Sequence, residues 1–266
     1  MSENILDIKN LSITYVTKDL GTCYAVNDVS LSLQKGHTLG LVGETGAGKT
    51  TICKAIMGLL GNAYRADGEI LFQGEDLLDL PERKRQTIYG KEICLIMQNP
   101  MTAFNPSIRV GRQMEKTYLL HHGKTPRQEM QRLFAAILQK LGLEDTQRIL
   151  NSYPFTLSGG MLQRLMIAAA LMCQPALLVA DEATTAIDAC NRIGLMRELK
   201  SFCKDGMSVL FVTHDLRSAS VSDRILVMDR GRIVEQGKTE QILNTPKEDY
   251  TKYLLNACRL ERREMS

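Results

Sequence analysis

The amino-acid sequence predicts an α/β fold built around a mainly parallel β-sheet. Short apolar segments rich in β-branched residues alternate along the chain with segments of helical periodicity, a pattern typical of α/β proteins. A glycine-rich segment at residues 43–50 follows one of the apolar strands, where α/β proteins commonly bind phosphate. A strongly amphipathic segment interrupts the alternation between residues 100 and 165. We therefore expect an α/β core with an inserted helical subdomain.

The N-terminal part predicts an antiparallel β subdomain that leads into the core. Residues 5–16 and 30–33 alternate apolar and polar side chains, as strands do when one face of an antiparallel sheet is exposed. Residues 39–42 are expected to form a buried strand before the glycine-rich segment, and residues 51–60 the helix after it. Further strands are expected at residues 68–72 and 93–97.

The inserted segment has a clear helix start and a regular apolar face. Thr125 is expected to be the N-cap and Pro126 the first helical residue, because proline is well tolerated at that position. Apolar side chains then recur at three- and four-residue spacing until Gly142 ends the helix; they are Met130, Leu133, Phe134, Ile137, Leu138 and Leu141. This spacing predicts a helix with one buried face.

These patterns divide the chain into a single domain, residues 1–245, and a short C-terminal extension, residues 246–266. Within the domain, we place the core at about residues 1–99 and 166–245 and the helical subdomain at about 100–165. Strands are expected in the second part of the core at residues 176–180, 208–213 and 224–228.

Composition and charge narrow the class of protein. A hydrophobic content of 44% and a charged content of 24% are ordinary for a globular chain. The net charge of +3 argues against nucleic acid as the main partner. The seven cysteines contain no C-x-x-C pair, which favours a reduced, cytosolic protein. No apolar stretch is long enough to span a membrane, no secretory signal is expected, and the arginine run at 259–263 is interpreted as a solvated chain end.

The glycine-rich segment matches the phosphate-loop motif G-x-x-x-x-G-K-[ST] at every constrained position; its residues are Gly43, Glu44, Thr45, Gly46, Ala47, Gly48, Lys49 and Thr50. The glycines let backbone N–H groups turn towards phosphate, and the helix beginning near Thr51 adds its positive end. Lys49 is expected to reach the β- and γ-phosphates of ATP, and the Thr50 hydroxyl to ligate Mg²⁺. The alternative, a chance glycine-rich turn, is disfavoured by the preceding strand and the following helix.

Two acidic residues, Asp181 and Glu182, end a later apolar strand. Adjacent carboxylates repel each other unless a cation or a reacting water is nearby. Asp181 is predicted to hold Mg²⁺, and Glu182 to act as the general base on the attacking water. The alternative is a solvated pair of acids, which the upstream phosphate loop disfavours.

Between these motifs lies Leu157-Ser158-Gly159-Gly160-Met161. In this order, the three motifs resemble those of the ATP-binding cassette (ABC) ATPases, which are P-loop NTPases of RecA-like fold. In that family two cassettes sandwich ATP, and the signature of one caps the nucleotide held by the other. The resemblance implies that Ser158, Gly159 and Gly160 contact ATP bound to a second cassette. A simple helix-capping turn is the alternative for this segment.

The same resemblance implies roles for several other residues. Gln98 resembles the Q-loop glutamine, which contacts Mg²⁺ and water. The resemblance therefore implies that Gln98 is a catalytic residue. His214, after a predicted strand, resembles the switch histidine that touches the γ-phosphate, and Asp188 resembles the D-loop aspartate at the dimer interface. Tyr15 is the candidate for stacking on adenine, with Tyr24 as its rival.

Further segments are similar to the peptide and nickel importer branch of the family, and to its nickel-import ATP-binding proteins in particular; they are residues 96–100, 103–106, 153–155 and 161–164. This implies an ATP-hydrolysing motor for uptake of nickel or a nickel or other metal chelate, with a di- or oligopeptide importer as the alternative. The implied partners are a second, different ABC ATPase, two transmembrane permease subunits and an extracytoplasmic substrate-binding protein. The implied location is peripheral, on the cytoplasmic face of the inner membrane.

Departures from the family pattern leave every catalytic group in place. Ala183 stands where proline is usual, Ile187 where leucine is common, and Met161 where glutamine is more frequent. ATP hydrolysis is therefore expected, in preference to a regulatory cassette without turnover. A soluble ABC protein acting on DNA or ribosomes is disfavoured, because the chain has one phosphate loop, one signature and no heptad run. With Cys258 alone near the end of the chain, no iron–sulfur cluster is expected.

Overall fold

The computed structural model describes residues 3–17, 21–183 and 189–264. The first part comprises β1 (Asn4–Thr17), β2 (Gly21–Gln34), β3 (Thr38–Val42), α1 (Lys49–Ile56), β4 (Tyr64–Phe72), β5 (Glu75–Asp76), α2 (Glu82–Ile88) and β6 (Ile93–Ile96). The middle part comprises α3 (Val110–His122), α4 (Arg127–Lys140), α5 (Thr146–Asn151) and α6 (Gly159–Met172). The last part comprises β7 (Leu177–Asp181), α7 (Ala189–Ser201), β8 (Ser208–Thr213), α8 (Leu216–Ala219), β9 (Arg224–Asp229), β10 (Arg232–Lys238), α9 (Thr239–Asn244) and α10 (Asp249–Glu264).

The central sheet has the strand order β10-β9-β3-β8-β7-β6. Its strands from β9 to β6 pair in parallel, and β10 pairs antiparallel to β9. Because parallel strands end at the same edge of a sheet, the residues that follow β3, β6, β7 and β8 meet there. A second, antiparallel sheet has the order β2-β1-β4-β5. This architecture confirms the predicted α/β fold with an antiparallel β subdomain and inserted helices.

Apolar cores cover both faces of the central sheet. In β7, Leu177 and Val179 face a cluster shared with α1 and the antiparallel sheet. Leu178 and Ala180 face the opposite cluster, which contains apolar residues of α3, α4, α6 and α7. This alternation follows from the two-residue period of a strand. The sheet is therefore packed between two apolar layers, which fixes the positions of the strand ends.

The inserted helices pack on the sheet as their apolar pattern predicts. Met130, Phe134, Ile137 and Leu138 of α4 are buried in the same cluster as apolar residues of α6. The predicted helix start is wrong by one residue, since α4 begins at Arg127 and Pro126 takes the N-cap position. The extended backbone of Pro126, with ψ 131°, keeps this residue out of the helix.

Two further boundaries differ from the sequence-based expectation. Helix α1 ends at Ile56 rather than at residue 60, because Gly58 adopts a left-handed backbone with φ +64° and ends the helical turn. Residues 259–263, interpreted from the sequence as a solvated chain end, have a helical backbone that continues α10. No helix of the described residues is long and apolar enough to cross a membrane.

Candidate functional site

The phosphate loop connects β3 to α1 and is held by close backbone contacts. A Cβ at Gly43 would lie 2.1 Å from the Met228 carbonyl oxygen, and one at Gly48 would lie 2.3 Å from the Ala25 carbonyl oxygen. Gly48 also has φ +104° and is the N-cap of α1. A further hydrogen bond runs from the Gly231 N–H to the Ala47 carbonyl, at 2.9 Å. Glycine is therefore required at both positions, and the loop presents the N-terminus of α1 at the sheet edge.

Lys49 lies inside this loop and is only 4% exposed. Its Nζ donates to the carbonyl oxygens of Gly43 at 2.6 Å and Glu44 at 2.8 Å. Burial lowers the pKa of Lys49, while the carboxylates of Glu182 and Asp181 oppose this shift. The loop thus holds a buried amine against its own carbonyl groups, and an anion such as phosphate would stabilise the charged form.

Asp181 ends β7 beside the first turn of α1. The Thr50 hydroxyl donates to Asp181 Oδ1 over 3.3 Å. Burial raises the pKa of Asp181, and the neighbouring Glu182 adds to this, whereas the Thr50 hydrogen bond opposes it. A hydroxyl and a carboxylate are hard oxygen donors of the kind Mg²⁺ prefers, and a cation would relieve the repulsion between the two acids. The residues therefore fit a Mg²⁺ site.

Two of the predicted catalytic residues, Gln98 and His214, contact the third, Glu182. Its backbone is left-handed, with φ +48°, and its N–H donates to the Val212 carbonyl of β8 at 2.9 Å. The Gln98 amide donates to Glu182 Oε2 at 2.6 Å. Nδ1 of His214 lies 3.3 Å from Oε1. Residues that follow β6, β7 and β8 thus converge on one carboxylate.

Gln163 is a member of this environment that the sequence did not reveal. It lies on α6, is fully buried, and donates from Nε2 to the Ala183 carbonyl at 2.6 Å. Helix α6 begins at the Ser158 N-cap, so one helix connects that segment with the backbone next to Glu182. Residues 161–164 carry a resemblance to the importer branch, but nothing in the apolar run of residues 162–171 indicates which group the Gln163 amide contacts.

Asp215 shapes the segment after His214. Its side chain accepts the N–H groups of Arg217 at 2.9 Å and Ser218 at 3.2 Å, which caps α8. Burial alone would raise the pKa of Asp215, but these hydrogen bonds and those from the side chains of Ser218 and Cys258 outweigh it, and the pKa is lowered.

The signature segment has a different environment. The Ser158 hydroxyl accepts the Met161 N–H at 3.3 Å and caps α6. A Cβ added to Gly160 would meet nothing within 4 Å. Within the described part of the chain, the Ser158 side chain makes no hydrogen bond to the phosphate loop.

The two tyrosine candidates lie on neighbouring strands. Tyr15 pairs with Cys23 across β1 and β2, and Thr14 pairs with Tyr24. Since adjacent residues of a strand point to opposite faces, Tyr15 and Tyr24 lie on different faces of the sheet. The Tyr15 ring packs against Tyr64, with centroids 5.5 Å apart. The adenine contact itself stays a prediction, and Asp188 lies outside the described residues.

Comparison with known proteins identifies the family. The model of the ABC transporter family matches residues 26–185. The metal-staphylopine import system ATP-binding protein CntD of Staphylococcus aureus is 41% identical over 254 residues, which cover 95% of this chain and 92% of CntD. The oligopeptide transport ATP-binding protein OppD of Salmonella typhimurium is 38% identical over 255 residues, covering 95% and 76% of the two chains. The dimeric, post-hydrolysis structure of the ATP-binding cassette MJ0796 with ADP and Pi superposes with a TM-score of 0.78 at 27% identity, over 88% of this chain and 98% of that one. The chain therefore belongs to the ABC transporter family of ATPases.

Proposed function

We propose that this chain is the ATP-hydrolysing subunit of an importer for nickel or another metal chelate. The convergence of Gln98 and His214 on Glu182, within 3.3 Å and beside the phosphate loop, carries the proposal of hydrolysis. The 41% identity to a metal-staphylopine import protein supports a metal chelate as cargo.

The proposed mechanism assigns binding to the phosphate loop. Its backbone N–H groups and Lys49 hold the phosphates of ATP, as expected for a loop that opens a helix. Thr50, Asp181 and Gln98 would hold Mg²⁺, which neutralises phosphate charge when bound. Tyr15 stacks on adenine in this proposal.

Hydrolysis is assigned to the carboxylate of Glu182. It orients a water molecule and accepts its proton as the water oxygen bonds to the γ-phosphorus and the bond to ADP breaks. Gln98 and His214 contact different oxygens of this carboxylate. Together they hold the base in one orientation, and His214 is also proposed to touch the γ-phosphate.

A second cassette is proposed to complete each site. Ser158, Gly159, Gly160 and Asp188 would contact the nucleotide held by that partner, because the α6 N-terminus can approach phosphate closely. In the proposed assembly, a second and different ATPase and two permease subunits complete the transporter on the cytoplasmic face of the membrane. An extracytoplasmic binding protein delivers the cargo.

The alternative cargo is a di- or oligopeptide. Oligopeptide and dipeptide transport ATP-binding proteins are 37–40% identical to this chain, as OppD of Salmonella typhimurium at 38% illustrates. Only transport can separate these two cargo classes, because the ATPase need not touch the cargo.

Uptake of labelled Ni²⁺ tests the proposal in cells that carry the wild-type chain, Glu182→Gln or the matched control Glu69→Gln. Glu69 is exposed on the antiparallel sheet, and among the described residues its carboxylate pairs only with Lys9, so its replacement should leave uptake unchanged. We expect Glu182→Gln to abolish Ni²⁺ uptake while uptake of a labelled dipeptide stays normal. Loss of dipeptide uptake with normal Ni²⁺ uptake would favour the alternative cargo. Normal uptake of both would contradict an importer role.

A further inference from the structure

The C-terminal helix α10 packs behind two loops of the nucleotide site. Leu254 of α10 is buried in a cluster with Val42, Leu216 and Ile225. Val42 is the last residue of β3 before the phosphate loop, and Leu216 begins α8 after His214 and Asp215. The helix is therefore seated where it can influence both loops.

The first turn of α10 reaches the phosphate loop through Tyr250. The Tyr250 hydroxyl accepts the Glu44 N–H at 3.2 Å. The carbonyl of the same Glu44 accepts from Lys49 Nζ at 2.8 Å. Burial raises the pKa of Tyr250, against the opposing hydrogen bond from Glu44, so the hydroxyl stays neutral near pH 7. Glu44 is thus held from inside the loop by Lys49 and from outside by Tyr250.

The start of α10 is itself fixed. The carboxylate of Glu235, in β10, accepts the N–H groups of Lys247 at 2.8 Å and Glu248 at 3.2 Å. Thr251 is fully buried directly after Tyr250. Because these contacts already order the start of α10, little further backbone entropy is lost when the Tyr250 hydroxyl forms its hydrogen bond.

A later turn of α10 reaches the segment after His214. The Cys258 thiol lies 3.4 Å from Asp215 Oδ1, within range of a weak S–H donor. Asp215 is the side chain that caps α8. One helix therefore contacts the phosphate loop and the His214 segment at the same time.

Nucleotide binding is expected to change the hydrogen-bond partners of the Lys49 ammonium. Two of the three N–H groups of its ammonium are already directed to carbonyl oxygens of the loop. Phosphate oxygens compete for the same ammonium group. They therefore weaken the hydrogen bond from Lys49 to the Glu44 carbonyl. The contact with Tyr250 is unaffected by this exchange, because it uses the N–H of Glu44 rather than its carbonyl.

We propose that Tyr250 is a positioning residue for ATP hydrolysis: its hydroxyl keeps Glu44 and the start of the phosphate loop in place while Lys49 turns to the phosphates. This inference rests on the proposed phosphate-binding role of the loop. It gives the C-terminal helix a function beyond packing.

The test compares Tyr250→Phe with Tyr253→Phe in the full chain, assembled with its partner subunits. Tyr253 is the matched control because it lies on the same helix and is 58% exposed. Its ring stacks beside that of Tyr250, with centroids 6.4 Å apart, and in the described residues its hydroxyl makes no hydrogen bond. Both variants keep the aromatic ring and remove only the hydroxyl. The measurements are KM and kcat for ATP, hydrogen exchange at the Glu44 amide, and the thermal midpoint.

We expect Tyr250→Phe to raise the KM for ATP roughly two- to tenfold, the effect of one lost hydrogen bond, with a smaller change in kcat. Exchange at the Glu44 amide should become faster, and the thermal midpoint should lie no more than about 2–4 °C below that of Tyr253→Phe, as expected for one hydrogen bond. If the two variants share the same KM and the same Glu44 exchange, Tyr250 has no positioning role. A lower thermal midpoint with unchanged KM would overturn the inference equally, because it would indicate packing alone.

Lys49→Ala separates this inference from the proposed function. If that variant binds ATP as the wild type does, the phosphate-binding role of the loop is wrong, and the inference falls with it. If Lys49→Ala loses ATP while Tyr250→Phe behaves like Tyr253→Phe, only the role of Tyr250 is wrong.

Discussion

The phosphate-loop side of the site and the signature segment differ in their hydrogen bonds. Polar side chains of the first contact one another across several elements of the chain, whereas those of the second, in the residues that the structure describes, do not. On the first side, Thr50 contacts Asp181, and Gln98 and His214 contact Glu182. On the second, the Ser158 hydroxyl bonds only within its own helix start among the described residues. Folding of one chain thus assembles the phosphate-loop side, whereas the nucleotide proposed to contact the signature segment would be held by a second cassette.

The largest expected effect comes from a substitution on the phosphate-loop side of the site. Glu182→Gln replaces the proposed general base with an amide of the same shape, so we expect kcat to fall by about 10²- to 10⁴-fold while ATP still binds. Phosphate release by the assembled transporter and nucleotide binding by the isolated chain measure the two quantities. Equal loss of binding and turnover would instead indicate that Glu182 supports the structure of the loop.

At the signature segment, a substitution should affect hydrolysis without lowering the stability of the isolated subunit. Gly160→Ala adds a methyl group where the chain itself leaves open space, so the isolated subunit should keep its stability or gain up to about 1 kcal/mol from helix propensity. Hydrolysis by the assembled ATPase pair should fall by roughly 10²-fold, because the methyl group displaces the partner's nucleotide. Chemical denaturation and ATPase assays check both parts. Unchanged hydrolysis would mean that no nucleotide approaches Gly160.

A third variant tests the contact between α6, which begins at the signature segment, and the backbone beside Glu182. Gln163→Met removes the buried donor to the Ala183 carbonyl, and we expect the free energy of unfolding to fall by about 1–3 kcal/mol. The kcat should also fall, because the backbone beside Glu182 loses its support. Gln139→Met on the exposed face of α4 is the control and should change neither value. If Gln163→Met lowers stability but leaves kcat intact, α6 does not influence Glu182.

The smallest effect concerns the segment after His214 and depends on pH. Since the pKa of Asp215 is lowered in the folded protein, its carboxylate contributes stability above the unfolded-state pKa of about 3.9, and this is lost as the pH falls through the folded-state pKa. Asp215→Ala should therefore cost about 1 kcal/mol at pH 7, as for other N-caps, and the difference should narrow below about pH 4. Urea unfolding across this range measures it. A difference that stays constant with pH would show that packing, not charge, accounts for the loss.

The sequence predicted the elements whose signals are local. The phosphate loop and the strand ending at Asp181 combine a short motif with a buried strand, and parallel topology then brings their ends to one edge. Gln163 was missed because its partner, Ala183, is distant in sequence and the contact depends on how α6 is rotated. Tyr250 was missed because the docking of α10 is decided by tertiary contacts with Val42 and Leu216 rather than by a local pattern.

The close backbone contacts at Gly43 and Gly48 have a consequence for the thermodynamics of nucleotide binding. The loop backbone passes close to the carbonyl groups of Met228 and Ala25 and is hydrogen-bonded to the Gly231 N–H through Ala47, so we expect much of its conformational entropy to be lost when the chain folds. Binding then needs little ordering of the backbone, which is how preorganised sites reach a given affinity from fewer contacts. Calorimetry should accordingly find a heat-capacity change for ATP binding far smaller than one that accompanies the folding of a segment.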